Sequence, residues 1–474
     1  MSQEFNIVRL YDLTMEYNYT YFDILNPAKP MDVFYYRYDR DYVKSQLEHP
    51  SPTDCLYTLD QYIGKHFNNL SIRADFASIP DFIDSIKQQA IPGLPTFVYM
   101  GSWKVFLLPV ELVKALHSAG IYILLDESYE GFIDHLYSYF SWLTMCGMQS
   151  VDNIRIISGR FNGHPSLKHG NIQWTDLDLE PVGIRVLSFP YFWFHTVGLF
   201  HHYRDRPIAL DKQPGTVLSL NNWLRQHRIL TLMRLLYNGT LDKITWSAID
   251  ANWEVLLDVS RGHREFNLEE LGVDTWLDAS LLAEFKSLLP KFLDITASDS
   301  RLHTSSDAVM QLYDTHLVNL VNETTYGTGP WDPYGINQLP PFSDNYATEY
   351  DTRSLHRRYG FITEKTYKAI ASGQMFIVSG SANTLTNLRK LGFKTFGQYF
   401  NESYDFEIND DQRYIKVCDT VDAIVNTRWN LATDQALQEI LEHNKQHFFD
   451  LSALTEQAYE LVEFLRDTTK DTNY

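Results

Sequence analysis

The stretch RRYGFITEKTYKAIASGQMFIVSG, residues 357–380, decides the fold. Within it, EKTYKAIASG (364–373) reads as a helix with Thr363 as its cap, and MFIVSG (375–380) reads as a buried strand. Working outward, THLVNLVN (315–322), TVLSL (216–220) and KITWSA (243–248) read as strands, and RILTLMRLLYNG (228–239) as a helix with a Gly stop. Acid-rich helices fill 250–290, TLTNLRKLG (384–392) is a further helix, and 433–468 is strongly helical. A second alternation lies nearer the N-terminus. TFVYM (96–100), IYILL (121–125) and NIRIIS (153–158) read as strands, separated by helices over 109–120 and 134–148. Residues 1–90 carry mixed short elements, and 188–215 turn from aromatic to polar with no clear period. Strand–helix alternation on both sides of that segment predicts an α/β protein of two Rossmann-like domains facing a cleft. The expected boundaries are 1–210 and 211–430, with a C-terminal helical segment over 431–474 that packs back on the first half.

The bulk properties narrow the classes. The chain has 474 residues, ample for two cores. Its formal charge is −20, from 60 acidic and 40 basic side chains, which repels polyanions unless a local basic groove exists. RSLHRRYG (353–360) and HHYRDR (201–206) are candidates for such a groove, or plain solvated loops. No apolar run reaches the roughly 18 residues of a transmembrane helix. The first residues are acidic and lack the apolar centre of a secretory leader. Cys55, Cys146 and Cys418 are far apart and form no metal-binding spacing. These features lead to the expectation of a cytoplasmic chain with no membrane span.

The helix that opens at Thr363-Glu364-Lys365 carries the chemistry. Its free N–H groups and its dipole favour an anion such as phosphate, and Lys365 adds a full charge. Glu364 has two readings. It either complements the dipole and pairs with Lys368 one turn on, or it accepts the vicinal hydroxyls of a ribose. A diphosphate beside a ribose is what a nucleotide sugar presents. Two further segments point the same way. The strand 315–322 ends in Asn322-Glu323-Thr324, and LSLNNWLRQHRILTLMRLL (218–236) carries Asn221, Arg225, His227 and Arg228 past a strand. Arg228 is a candidate fork for phosphate.

These three segments, in this order, resemble the donor half of the α1,3-fucosyltransferases. That family has a strand–helix segment with a phosphate-binding Arg, a strand ending in Glu-Asn-Ser, and Tyr-(Val/Ile)-Thr-Glu-Lys before a small-residue helix. The counterparts are Arg228, Asn322-Glu323-Thr324 and Phe361-Ile362-Thr363-Glu364-Lys365. Over about residues 120–425 the chain is also similar to glycosyltransferase-like proteins of phages and marine viruses, through LLDESYEGF, LSLNNWLRQHRILTLMRLL, FITEKTYKAIASGQMFIVSGSANTLTNLRKLGFKTF and NESYD. The resemblance implies a GT-B-like arrangement of the two domains and transfer of a sugar from a nucleoside diphosphate, with Arg228, Glu323, Thr324, Thr363, Glu364 and Lys365 on the donor; the reading of the residues themselves adds Asn221, Arg225 and Lys368 to that set. Fucosyltransferases have Asn where this chain has Thr324, so the donor sugar stays open.

An inverting transferase needs a carboxylate to take the acceptor's proton. LLDESYEGFIDH (124–135) supplies Glu127 and Glu130, then Asp126, just past a strand; N-capping is the other reading of these acids. Asp39/Asp41 and Asp176/Asp178 have the spacing of metal-holding pairs, but neither follows a clear strand, and the expectation is that no metal is needed. YNYTYFDI (17–24) and FPYFWFHT (189–196) are aromatic stretches suited to packing or to stacking on sugars and bases. The acceptor is either a glycan precursor or a hydroxylated base in phage DNA. A non-catalytic nucleotide-binding protein of the same fold is the competing function.

Overall fold

The computed structural model describes residues 4–9, 67–70, 78–101, 110–128, 153–162, 170–171, 185–221, 226–248, 275–291, 293, 307–323, 359–427 and 429–466. In the first part run β1 (Phe5–Arg9), β2 (Phe67–Leu70), α1 (Ile79–Gln89), β3 (Thr96–Gly101), α2 (Val110–Ser118), β4 (Tyr122–Glu127), β5 (Ile154–Ser158), β6 (Arg160–Asn162), β7 (Gly170–Asn171) and β8 (Arg185–Ser188). The sheet order is β2-β1-β3-β4-β5-β8-β7. Its pairs are parallel except β7 with β8. α1 shows how locally these elements are specified. The Ser78 hydroxyl caps it at the Asp81 N–H, Pro80 sits in its first turn, and Phe82, Ile83 and Ile86 form its buried face.

After α3 (Tyr191–Leu199) the second sheet is built from β9 (Gln213–Leu220), α4 (Gln226–Tyr237), β10 (Ile244–Ser247), α5 (Ala279–Ser287), α6 (Asp307–Thr315), β11 (His316–Asn322), β12 (Tyr359–Phe361), α7 (Glu364–Ala371) and β13 (Met375–Ser379). α8 (Thr384–Lys390), α9 (Asp410–Ile424), α10 (Gln435–Phe448) and α11 (Leu451–Arg466) follow. The four strands run β10-β9-β11-β13, all parallel. Every residue of β11 and β13 is buried; β13 reads as an apolar run, and β11 as apolar pairs with His316, Asn319 and Asn322 between and beside them. The chain therefore holds two parallel sheets with helical crossovers, a mixed α/β fold. In both sheets the first strand connects to one side and the later strands to the other. Each sheet is thus doubly wound, with a switch point between β1 and β3 in one and between β9 and β11 in the other.

The elements α3, β6, β12 and α11 tie the two parts together. β6 pairs antiparallel with β12, so the continuation of β5 is bonded to the chain entering α7. There the Phe361 ring lies over Gly159, where any Cβ would stand 2.8 Å from the ring and 2.1 Å from the Ser128 carbonyl. α3 packs on α7, and α7 on α10. On α11, Arg466 Nη2 donates to Glu4 at 2.6 Å, next to β1.

Three features differ from the sequence reading. α3 occupies part of the stretch that showed no period. Tyr191, Trp193, Phe194, Thr196 and Val197 are all buried, so the helix has no polar face to set a rhythm. The N-terminal residues supply a central strand, β1, rather than an unassigned element. The C-terminal helical run is two helices, broken at Phe449-Asp450, where Asp450 accepts the Ser452 N–H at 2.8 Å. The expected boundary near 210 falls in the irregular segment between Tyr203 and Gln213. The helix expected over 134–148 lies outside the described residues.

That irregular segment contains a buried cation. Lys212 is 2 % exposed, and its Nζ donates to the Tyr313 carbonyl at 2.6 Å. Burial pulls its pKa from 10.5 down to about 8, with Asp314 opposing and Lys445 and Arg206 adding to the shift. Between those two values the unfolded chain binds more protons, so stability rises with pH there. From about pH 7.5 to 9.5 the gain is about 2 kcal/mol. Above about pH 10 the trend reverses, because burial raises the Tyr203 and Tyr313 hydroxyls. Urea midpoints at the two pH values should rise in the native chain by more than in Lys212→Met, where Lys368 and Lys445, both lowered by burial, still titrate. A rise of equal size in both would remove Lys212 from the account.

Candidate functional site

The carboxyl ends of β9 and β11 diverge at the second sheet's switch point, where doubly wound sheets place their ligands. Polar side chains line this edge. Asn322 Nδ2 donates to Ser219 Oγ at 3.2 Å and to Asn221 Oδ1 at 3.0 Å. Asn221 Nδ2 also reaches Ser219 Oγ at 3.2 Å. Ser379 is the register partner of Asn322. Among the described residues, Ser379 Oγ and Asn322 Oδ1 are buried with no hydrogen-bond partner. Buried polar atoms are nearly always paired, so this edge retains unused capacity for a polar group.

Glu323 follows and is fully buried. Its carbonyl accepts from His227 Nε2 at 3.0 Å, which assigns that proton to Nε2, and from Arg228 Nη2 at 3.1 Å. Its carboxylate accepts the Thr363 N–H at 3.0 Å, the Thr363 hydroxyl, and the Thr366 hydroxyl at 2.6 Å. Glu323 thus ties the end of β11 to the head of α7, and Gly380 is packed against its Cβ, 3.2 Å from where a side chain would begin.

The head of α7 carries the predicted acid and bases. Thr363 caps it by accepting the Lys365 N–H. Lys365 Nζ lies 3.1 Å from Glu364 Oε1 and 3.2 Å from Thr363 Oγ1. Lys368 Nζ stands 3.9 Å from Glu364, beyond hydrogen-bond reach, although its side chain is only 5 % exposed. Burial lowers the Lys368 pKa, with Glu364 opposing and Lys365 adding. A largely buried lysine whose ammonium has no hydrogen bond to any described residue, at a helix head that already favours anions, is suited to a phosphate. The i,i+4 pairing of Glu364 with Lys368 is also present, so both readings of Glu364 remain compatible with the geometry. The helix is closed by Gly373 at φ 64°, where a Cβ would meet Ile208 at 2.7 Å.

The structure therefore brings Asn221, Arg228, Glu323, Thr363, Glu364, Lys365 and Lys368 to the carboxyl edge of β9 and β11 and the neighbouring helix head. Arg225 and Thr324 lie outside the described residues. In the first sheet Asp126, at the end of β4, is 1 % exposed. It accepts from the Tyr99 hydroxyl, and from the Ser128 N–H at 2.9 Å. Glu127 is described in its backbone alone, paired with Ser158. Glu130, Asp39, Asp41, Asp176 and Asp178 fall outside the described residues. Among the described residues, no group of three or more His, Cys, Asp or Glu side chains could hold a metal ion.

His195, on α3, was not singled out by the sequence reading. It lies within charge range of Glu364 and Lys368. Its only signal was a polar residue inside the aromatic stretch 189–196. Comparison with protein-family models and with curated proteins finds no match to this chain. No helix among the described residues is long and apolar enough to cross a membrane.

Proposed function

We propose that the chain is a glycosyltransferase that moves a sugar from a nucleoside-diphosphate sugar to an acceptor hydroxyl, with the donor bound by the second sheet. The observation that carries this is the largely buried Lys368 side chain, whose ammonium has no hydrogen bond to any described residue, beside Lys365 at the head of α7 and next to a doubly wound sheet's switch point. In this reading the diphosphate meets the α7 amides and the two lysines, and the ribose meets Glu364. The orphaned Asn322 and Ser379 atoms lie at the neighbouring strand ends. The first sheet supplies the acceptor side, and the two parts form two Rossmann-like domains across a cleft. The order of motifs shared with the fucosyltransferases supports the same assignment. Two lysines and helix amides can balance a diphosphate without a metal ion. A net charge of −20 favours a glycan acceptor over DNA.

Calorimetry with GDP and UDP tests the site. One of them should bind, and Lys365→Ala should weaken it by about 1–3 kcal/mol, the usual loss for a charge-assisted contact. Unchanged affinity in a folded Lys365→Ala protein would exclude the site. Slow release of nucleoside diphosphate from a matching sugar nucleotide separates a transferase from a non-catalytic binder of the same fold.

A further inference from the structure

We propose that His195 is the base that takes the acceptor's proton as the sugar is transferred, a role that rests on the glycosyltransferase reading. α3 starts just past β8, at the carboxyl edge of the first sheet. Phe192 and His195 are one turn apart and share a face of α3. The Phe192 ring meets the Phe361 ring edge-on, with centroids 5.8 Å apart. Phe361 lies two residues before the α7 cap, Thr363. His195 itself stacks on Tyr191 at 5.7 Å and 22°. The imidazole is therefore half-buried and rotationally restrained on a helix that packs on α7, within charge range of Glu364 and Lys368.

Its surroundings suit a base. The ring nitrogens have no hydrogen bond to any described residue, so a lone pair is available to a substrate. Burial lowers its pKa below 6.5; Glu364 opposes this and Lys368 adds to it, both from α7, the element that faces it. The ring is accordingly neutral at pH 7 and able to accept a proton. Once protonated it lies near the Glu364 carboxylate, which favours the imidazolium. In this reading His195, on the helix that leaves the first sheet, serves the acceptor, whereas Lys365 and Lys368 serve the leaving group.

The step balances without an added co-reactant. The acceptor oxygen forms a bond to the anomeric carbon and gives its proton to the His195 ring nitrogen. The bond from that carbon to the diphosphate oxygen breaks, and its electron pair leaves with the diphosphate, next to the two lysines. The imidazolium then releases its proton to solvent.

The test uses the full chain, with GDP and UDP for binding and GDP-hexoses and UDP-hexoses for turnover, water serving as acceptor. Rates are measured over about pH 5 to 9, the range in which a histidine base would titrate. His195→Asn should bind the diphosphate as the native chain does and lose about 10²–10⁴-fold in rate. The fall in rate at low pH should disappear with it, and free imidazole should restore part of the rate in His195→Ala. Native rate and pH profile in His195→Asn would overturn the role while leaving the donor site intact. So would loss of that profile in Glu127→Gln or Glu130→Gln with His195→Asn unaffected. Equal loss of diphosphate affinity in His195→Asn would make the residue part of the donor site instead. A native chain that binds diphosphate but releases none overturns the base and favours the non-catalytic binder. A native chain that binds neither diphosphate overturns the glycosyltransferase reading, and the base with it.

Discussion

Replacing Glu323 by alanine is expected to destabilise the chain by about 3–5 kcal/mol, near the upper end for single substitutions. It should also abolish anion binding at the head of α7. The reason is the number of groups that depend on one carboxylate. The Thr363 N–H, the Thr363 hydroxyl and the Thr366 hydroxyl all donate to it, in a place with no exposure to solvent. Removal leaves these donors buried without acceptors, and each such group costs about 1–3 kcal/mol. A void is added where the side chain stood. Because two of the donors belong to the cap residue, the first turn of α7 loses its anchor to β11, and Lys365 and Lys368 lose their placement.

Glu323→Gln separates charge from volume. It keeps one acceptor oxygen but turns an amide NH₂ toward groups that donate, so it should cost about half as much. Urea unfolding of both variants, compared at equal transition slope, gives the stability change. Calorimetry with GDP and UDP gives the binding change. A folded Glu323→Ala protein within about 1 kcal/mol of the native chain would mean that the carboxylate is not the clasp described here. A variant that keeps stability and loses binding alone would make Glu323 a direct ligand of the donor.

How much of this was legible beforehand depends on whether an element has one wet face. β11 and β13 are buried on both faces, and the apolar pairs of β11 and the apolar run of β13 were readable at once. α4 and α7 were readable from their stops and caps. α3 was not, because most of it is buried and its aromatic residues follow no 3.6-residue rhythm. β1 was hidden for a different reason. FNIVR is short, and its central place depends on pairing with β2 and β3, which lie far along the chain. The break between α10 and α11 had a local signal in Asp450, a capping residue within an otherwise continuous helical run. At the proposed site, the segments singled out by motif meet at one sheet edge and one helix head, and pairing distances then distinguish the residues within them. Nothing local to Glu323 reveals that Thr363, 40 residues away, would occupy both its oxygens. His195 could not be read at all without knowing that α3 packs on α7.

The second large effect is expected at Trp193, the residue that fixes that packing. Its side chain is 1 % exposed, and its indole N–H donates to the Phe448 carbonyl at 2.9 Å. The ring stacks on Tyr367 of α7 at 6.3 Å and 18°, and meets Phe393 at 5.0 Å and His447 of α10 at 5.2 Å. One side chain thus joins α3, which leaves the first sheet, to α7 and α10, which cover the second. Trp193→Ala should cost about 3–5 kcal/mol through the cavity it leaves. Trp193→Phe keeps most of the apolar contact and loses the hydrogen bond. The Phe448 carbonyl belongs to the last turn of α10, where carbonyls lack helical partners, so it is left buried without this donor, at a cost of about 1–3 kcal/mol. The two readouts should then part company. GDP or UDP affinity belongs to α7 and should persist in Trp193→Phe. Turnover requires His195, two residues further along α3, to stay beside α7, and so should fall as α3 loosens. Urea midpoints and sugar-nucleotide hydrolysis, measured on the same preparations, resolve this. If Trp193→Ala unfolds at the native midpoint, the indole does not join the helices. If Trp193→Phe loses affinity and turnover in equal proportion, α3 acts on the donor site as a whole rather than through His195.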